Sequence, residues 1–94
     1  MILINTLSEL QIDNVPIHQI DLNARVINIL ITKTNIKTLL DLKNYVLEKG
    51  IIGLLKLNGF GTVSKNNVKK LLEHAYPKTN FNMYVLTEEK YTFN

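Results

Sequence analysis

Leu57-Asn58-Gly59-Phe60-Gly61 is the stretch whose residue types and spacing best suit chemistry. Two glycines flank one aromatic, and apolar residues at helical spacing follow, with Val68 seven positions after Gly61. Glycine has no Cβ, so a bulky anion can come close to the backbone at such a turn. The first amides of a helix lack acceptors within it, and the helix dipole adds positive potential there. Together these features make a backbone grip for a phosphate. Lys65, Lys69 and Lys70 put further positive charge behind the turn. The chain carries a formal charge of only +3, yet from Lys56 to Lys78 there are five lysines and one acid, Glu73. A cationic segment suits a polyanionic partner. The plainer alternatives are a solvated lysine face and a glycine turn that merely joins two packed helices.

The elements that must hold this turn follow from capping and periodicity. Asn23 is suited to cap a helix whose inner face carries Leu22, Val26, Ile29 and Leu30, with Ile27 and Ile31 widening the stripe. Arg25 and Asn28, three apart, project together from another side. Thr34-Asn35 breaks the pattern. Thr38, with Asp41 three residues on, opens a second helix lined by Leu39, Leu42, Tyr45 and Val46, and Gly50 ends it. A short third helix spans about Ile51 to Leu57. After the glycine turn, Ser64 is expected to cap the last helix, with Val68, Leu71, Leu72 and Ala75 inward and Pro77 as its stop. Tyr45, Phe60 and Tyr76 read as core residues, not as stacking platforms. The pattern apolar-x-Gly-apolar-Gly before a helix is that of a helix-hairpin-helix.

The fold expected is mainly α: a compact bundle of four to five short helices within residues 16–77, with an arm over 1–15 and a tail over 78–94. Asp13-Asn14-Val15-Pro16 reads as a turn. Phe81, Met83, Val85, Tyr91 and Phe93 alternate with polar neighbours as in a strand, and that tail is expected either to pair with Met1 to Leu7 in a small two-stranded sheet, to stay flexible, or to mediate self-association. At 94 residues the chain suits one small domain. It has no cysteine, which excludes a disulfide scaffold and a thiolate metal site. The apolar start Met1-Ile2-Leu3-Ile4 is too short for a signal peptide or membrane span, so no membrane partner is expected; a cytoplasmic location is expected because the lack of cysteine fits a reducing compartment, although many secreted domains lack it too. His18 and His74 lie far apart, and the carboxylate pairs Asp13/Asp21 and Glu88/Glu89 have no convergent partner. No metal, no cofactor and no enzymatic activity are expected.

Pro16-Ile17 and the run from Ile20 to Leu30, together with Gly59-Phe60-Gly61-Thr62-Val63-Ser64, resemble the C-terminal domain of the bacterial RNA polymerase α subunit. The resemblance covers about Pro16 to Ala75. That family is a bundle of short helices that binds AT-rich promoter DNA through the minor groove and contacts activators and σ factor. Carried over, the resemblance makes Arg25 the arginine that enters the minor groove and Asn28 the asparagine beside it. Gly61 becomes the hairpin glycine whose amide meets a phosphate, and Ser64 the serine at the last helix start. A narrow AT-rich minor groove has enhanced negative potential, which suits an arginine. This sequence departs from the family at Ile29 and Ile31, at Val63 in place of a lysine, at Asn67 in place of a glutamate, and in a longer stretch between Asp41 and Leu54.

The leading expectation is therefore a module that grips the backbone and minor groove of AT-rich double-stranded DNA in transcription or its regulation. Its expected site comprises Arg25, Asn28, Gly59, Gly61, Ser64, Lys65 and Lys69. A second reading, favoured by Val63, Ile31 and the tail, is a protein-interaction module with little DNA affinity. It would dock on RNA polymerase, σ factor, an activator, or itself as a homodimer. A third is a hairpin module of DNA repair or recombination.

Overall fold

Among the described residues, three of the four α-helices begin at a side-chain cap. In the computed structural model, which describes residues 8–81, Ser8 opens α1 (Glu9–Asp13) with a reciprocal capping box to Gln11. Asn23 opens α2 (Ala24–Lys33), its Oδ1 accepting from the Arg25 amide at 2.8 Å. Thr38 opens α3 (Leu39–Lys49): its Oγ1 accepts from the Asp41 amide at 3.3 Å, and Asp41 Oδ2 accepts from the Thr38 amide at 3.1 Å. Each cap gives a partner to amides that the helix itself leaves without one. Gly50 then ends α3 at φ 77°, a conformation that L side chains rarely adopt.

The fourth helix, α4 (Thr62–Ala75), begins differently. Its N-cap is Gly61, which has no side chain to offer, so the helix starts three residues before the expected Ser64 cap. Ser64 lies inside the first turn. Two 3-10 helices, Ile17–Gln19 and Ile51–Lys56, complete the described elements. The second of these packs against both α3 and α4, while α1 packs on α3. Among the described residues the one β-type pairing is an isolated bridge between Pro16 and Thr38. The molecule is mainly helical, as its periodicity implies.

The helices close on a single core. Val26, Ile29 and Leu30 of α2 meet Leu39, Leu42 and Val46 of α3, Ile51 and Leu54 of the 3-10 helix, and Val68, Leu72 and Ala75 of α4. Burying each leucine or isoleucine contributes roughly 1.5–3 kcal/mol, which offsets the entropy of ordering these short elements.

The division into arm, centre and tail needs two changes. Residues 8–15 belong to the bundle: Ile12 and Val15 are buried, and the Val15 carbonyl accepts from the Leu39 amide at 2.9 Å. At the other end Phe81 is buried against Tyr76, with ring centroids 6.3 Å apart. The expected strand pairing of Met1 to Leu7 with the tail falls on residues 1–7 and 82–94, outside the described residues.

Candidate nucleic-acid interface

The hairpin is built from the inside outward. Phe60 is buried, 5 % exposed, and anchors the turn in the core. Its amide donates to the Leu57 carbonyl at 3.0 Å, which closes the turn over Asn58 and Gly59. Gly59 has φ 88°, where a β-carbon is strained. Gly61 is extended, at φ −101° and ψ −176°, so its backbone does not itself demand glycine. Among the described residues, its two chain neighbours aside, no atom lies within 4 Å of a Cβ built on Gly61. That side of Gly61 is open, as a backbone grip requires.

The first hydrogen bond of α4 runs from the Lys65 amide to the Gly61 carbonyl, at 2.9 Å. The amides of Thr62, Val63 and Ser64 precede it and have no acceptor within the helix. Among the described residues no side chain caps them. They form the positive end of a 14-residue helix, beside the open face of Gly61.

Arg25 comes to this hairpin from α2. It is exposed on the first turn, and its Nη2 lies 3.5 Å from the point a Cβ at Gly59 would occupy. The Ile29 Cδ1 lies 3.3 Å from the same point. The segments that carry Arg25 and Gly61 therefore meet at Gly59. Asn28, one turn along α2, is also exposed, and its carbonyl accepts from Thr32 Oγ1 at 2.7 Å. Arg25 is the single arginine among the eleven basic residues. Its planar, permanently charged fork cannot be replaced by any of the lysines at a site that uses several donors.

The expected site residues divide into two groups. Arg25, Asn28, Gly59 and Gly61 are exposed, with Arg25, Gly59 and Gly61 gathered at the hairpin; Ser64 is half-buried in the first turn of α4. Lys65 differs: it is 6 % exposed, because it stands three and seven residues before Val68 and Leu72 on the core side of α4. The site expected from the sequence includes Lys65, and here its side chain is buried. Lys69 is half-buried and pairs with Glu73 at 3.2 Å, so much of its charge is offset within the helix. Lys56, the first lysine of the cationic segment but not one of the expected site residues, is exposed at the end of the 3-10 helix that leads into the hairpin. Its place directly before the turn was the available signal. Val63 is 74 % exposed on the first turn of α4, an apolar side chain beside the open amides.

Among the described residues, no three His, Cys, Asp or Glu side chains gather in a way that would hold a metal ion. No described helix is long and apolar enough to cross a membrane. In comparisons with known proteins, no family model, no curated protein and no solved structure matches this chain.

Proposed function

We propose that this protein is a duplex-DNA-binding module that acts in transcription or its regulation. In this reading the hairpin holds a backbone phosphate and Arg25 enters the adjacent minor groove. The observation that carries it is the meeting of Arg25 with Gly59, two residues from the open face of Gly61 and the uncapped amides of α4. A phosphate grip alone reads no sequence. An arginine fixed beside it responds to groove width, which is narrow in A-tracts. The role in transcription rests on the resemblance to the polymerase α C-terminal domain. The test is a fluorescence-anisotropy titration with AT-rich and GC-rich duplexes at low and moderate salt. Arg25→Ala is expected to weaken AT-rich binding about tenfold or more, which is about 1.4 kcal/mol. Lys78→Ala, an exposed lysine beyond α4, serves as the control and is expected to change little. Absence of duplex binding even at low salt overturns the reading.

Val63 supports a second reading. An apolar side chain this exposed on the first turn of α4, with Ile31 also exposed on α2, suits a protein partner better than a phosphate. In that case the module docks on RNA polymerase, σ factor, an activator or a second copy of itself. Recovery of polymerase subunits from a bacterial lysate by the wild type, lost in Val63→Glu, together with no duplex binding, would favour it over the first.

A further inference from the structure

Asn58 is the only asparagine in the chain that a glycine follows; a residue with a side chain follows each of the others, the terminal Asn94 aside. An asparagine can close a five-membered ring on its own backbone when the next amide nitrogen attacks its side-chain carbonyl. A side chain on the next residue obstructs that approach, and glycine has none. The hairpin presents this pair openly. Asn58 and Gly59 are both exposed, at the two central positions of a turn closed by the Phe60 amide on the Leu57 carbonyl at 3.0 Å. Gly59 has φ 88° and no described residue other than glycine has a positive φ, which makes the turn type II. Among the described residues the Gly59 amide has no acceptor, so no hydrogen bond holds back its nitrogen. Ring closure rotates the peptide plane between Asn58 and Gly59, and glycine accepts φ of either sign. Opening an exposed turn of this kind takes far less free energy than global unfolding.

We propose that Asn58 is a site of spontaneous modification, at which its amide becomes a carboxylate and the hairpin loses its hold on a duplex. The Gly59 nitrogen bonds to Asn58 Cγ and gives up its proton. The bond from Cγ to Nδ2 breaks, and Nδ2 leaves as ammonia. Water then opens the succinimide at one of its two carbonyls. Opening at Cγ leaves aspartate; opening at the backbone carbonyl leaves isoaspartate, whose chain runs through Cβ and Cγ. One water is consumed, one ammonia is released, and nothing is oxidised or reduced. Either product carries a negative charge where a neutral amide stood. The consequence for DNA rests on the duplex-binding reading above: a carboxylate on the turn that leads to Gly61 repels an approaching phosphate. Isoaspartate also lengthens the backbone between Leu57 and Phe60, against the buried Phe60 anchor.

The test combines a mass map with a binding titration. The full chain is aged in mildly alkaline buffer and its peptides are mapped by mass spectrometry, with isoaspartate read by an isoaspartyl methyltransferase. Asn58 is expected to convert well ahead of every other asparagine. Conversion no faster than at Asn80, which is also exposed outside a helix, overturns the site. Asn58→Gln would have to close a larger ring, so it should resist ageing and bind an AT-rich duplex like the fresh wild type. Asn58→Asp presets one product and is expected to bind about threefold to fivefold more weakly at low salt, with a smaller loss at moderate salt. Aged wild type should lose at least as much, while aged Asn58→Gln keeps its affinity. Unchanged affinity in both Asn58→Asp and the aged wild type would overturn the effect on the hairpin and leave duplex binding standing. A fresh wild type that binds no duplex overturns the duplex reading and that effect with it, while the mass map still decides the modification.

Discussion

The Tyr76 hydroxyl donates a hydrogen bond of 2.5 Å to Asp13 Oδ1, joining the end of α4 to the end of α1 across 63 positions of sequence. Lys43 of α3 stands over the Tyr76 ring, its Nζ 4.4 Å from the centroid. One buried tyrosine thus ties three helices together. Its ring supplies packing and a cation–π contact, and its hydroxyl supplies the link to α1.

Tyr76→Phe keeps the ring and removes the hydroxyl. The lysine contact and the packing on Phe81 should survive, while Asp13 loses its donor. Hydrogen bonds to charged groups contribute about 1.5–3 kcal/mol when intact. Asp13 is half-exposed and can turn to water, so a loss of about 1–2 kcal/mol is expected. For a domain of this size, each kcal/mol lowers Tm by about 4–8 °C. Thermal unfolding followed by circular dichroism measures it. DNA affinity, taken well below Tm, should not change, because the hairpin lies at the other end of α4.

Helix starts marked by polar side chains were legible in the sequence. Asn23 and the Thr38–Asp41 pair cap α2 and α3 as their types imply. Ser8 and Gln11 carry the same signal for α1, but a five-residue helix shows no periodicity to support it. The start of α4 was misread because a glycine N-cap leaves no side-chain mark, while Ser64 nearby has the expected type. The burial of Lys65 follows from its spacing to Val68 and Leu72, which places it on the inner side of α4. The site was legible as residue types only. The meeting of Arg25 with Gly59 is set by how α2 and the hairpin pack, and no local pattern encodes it.

The glycine cap of α4 separates stability from function. Gly61 already has the extended backbone that an N-cap side chain needs. Gly61→Asp should place a carboxylate over the amides of Val63 and Ser64 and complement the helix dipole. The gain over glycine is a few tenths of a kcal/mol from capping and about 0.3–1 kcal/mol from the dipole. The same carboxylate occupies the proposed phosphate position and repels any phosphate that approaches. Tm should rise by a few degrees while duplex affinity falls by about tenfold or more. Denaturant unfolding and anisotropy titration on one preparation test both halves. A variant that is more stable and binds as well as the wild type would show that the open amides of α4 are not the grip.

Val63 offers the reverse exchange. It is 74 % exposed on the first turn of α4, so Val63→Lys has room and disturbs no core contact. A lysine here opposes the helix dipole and should cost about 0.3–1 kcal/mol of stability. If the hairpin faces a duplex, the new ammonium lies beside the gripped phosphate and releases about one more counterion. The slope of log K against log salt should then steepen by about 0.9. Affinity should rise several-fold at low salt, with less gain at moderate salt. The rise should be similar for AT-rich and GC-rich duplexes, because a phosphate contact carries no sequence information. Arg25→Ala in the same background should still remove the preference for AT-rich DNA. If Val63→Lys leaves the salt slope unchanged, the first turn of α4 faces away from the duplex. The exposed valine then belongs to the protein-docking reading instead.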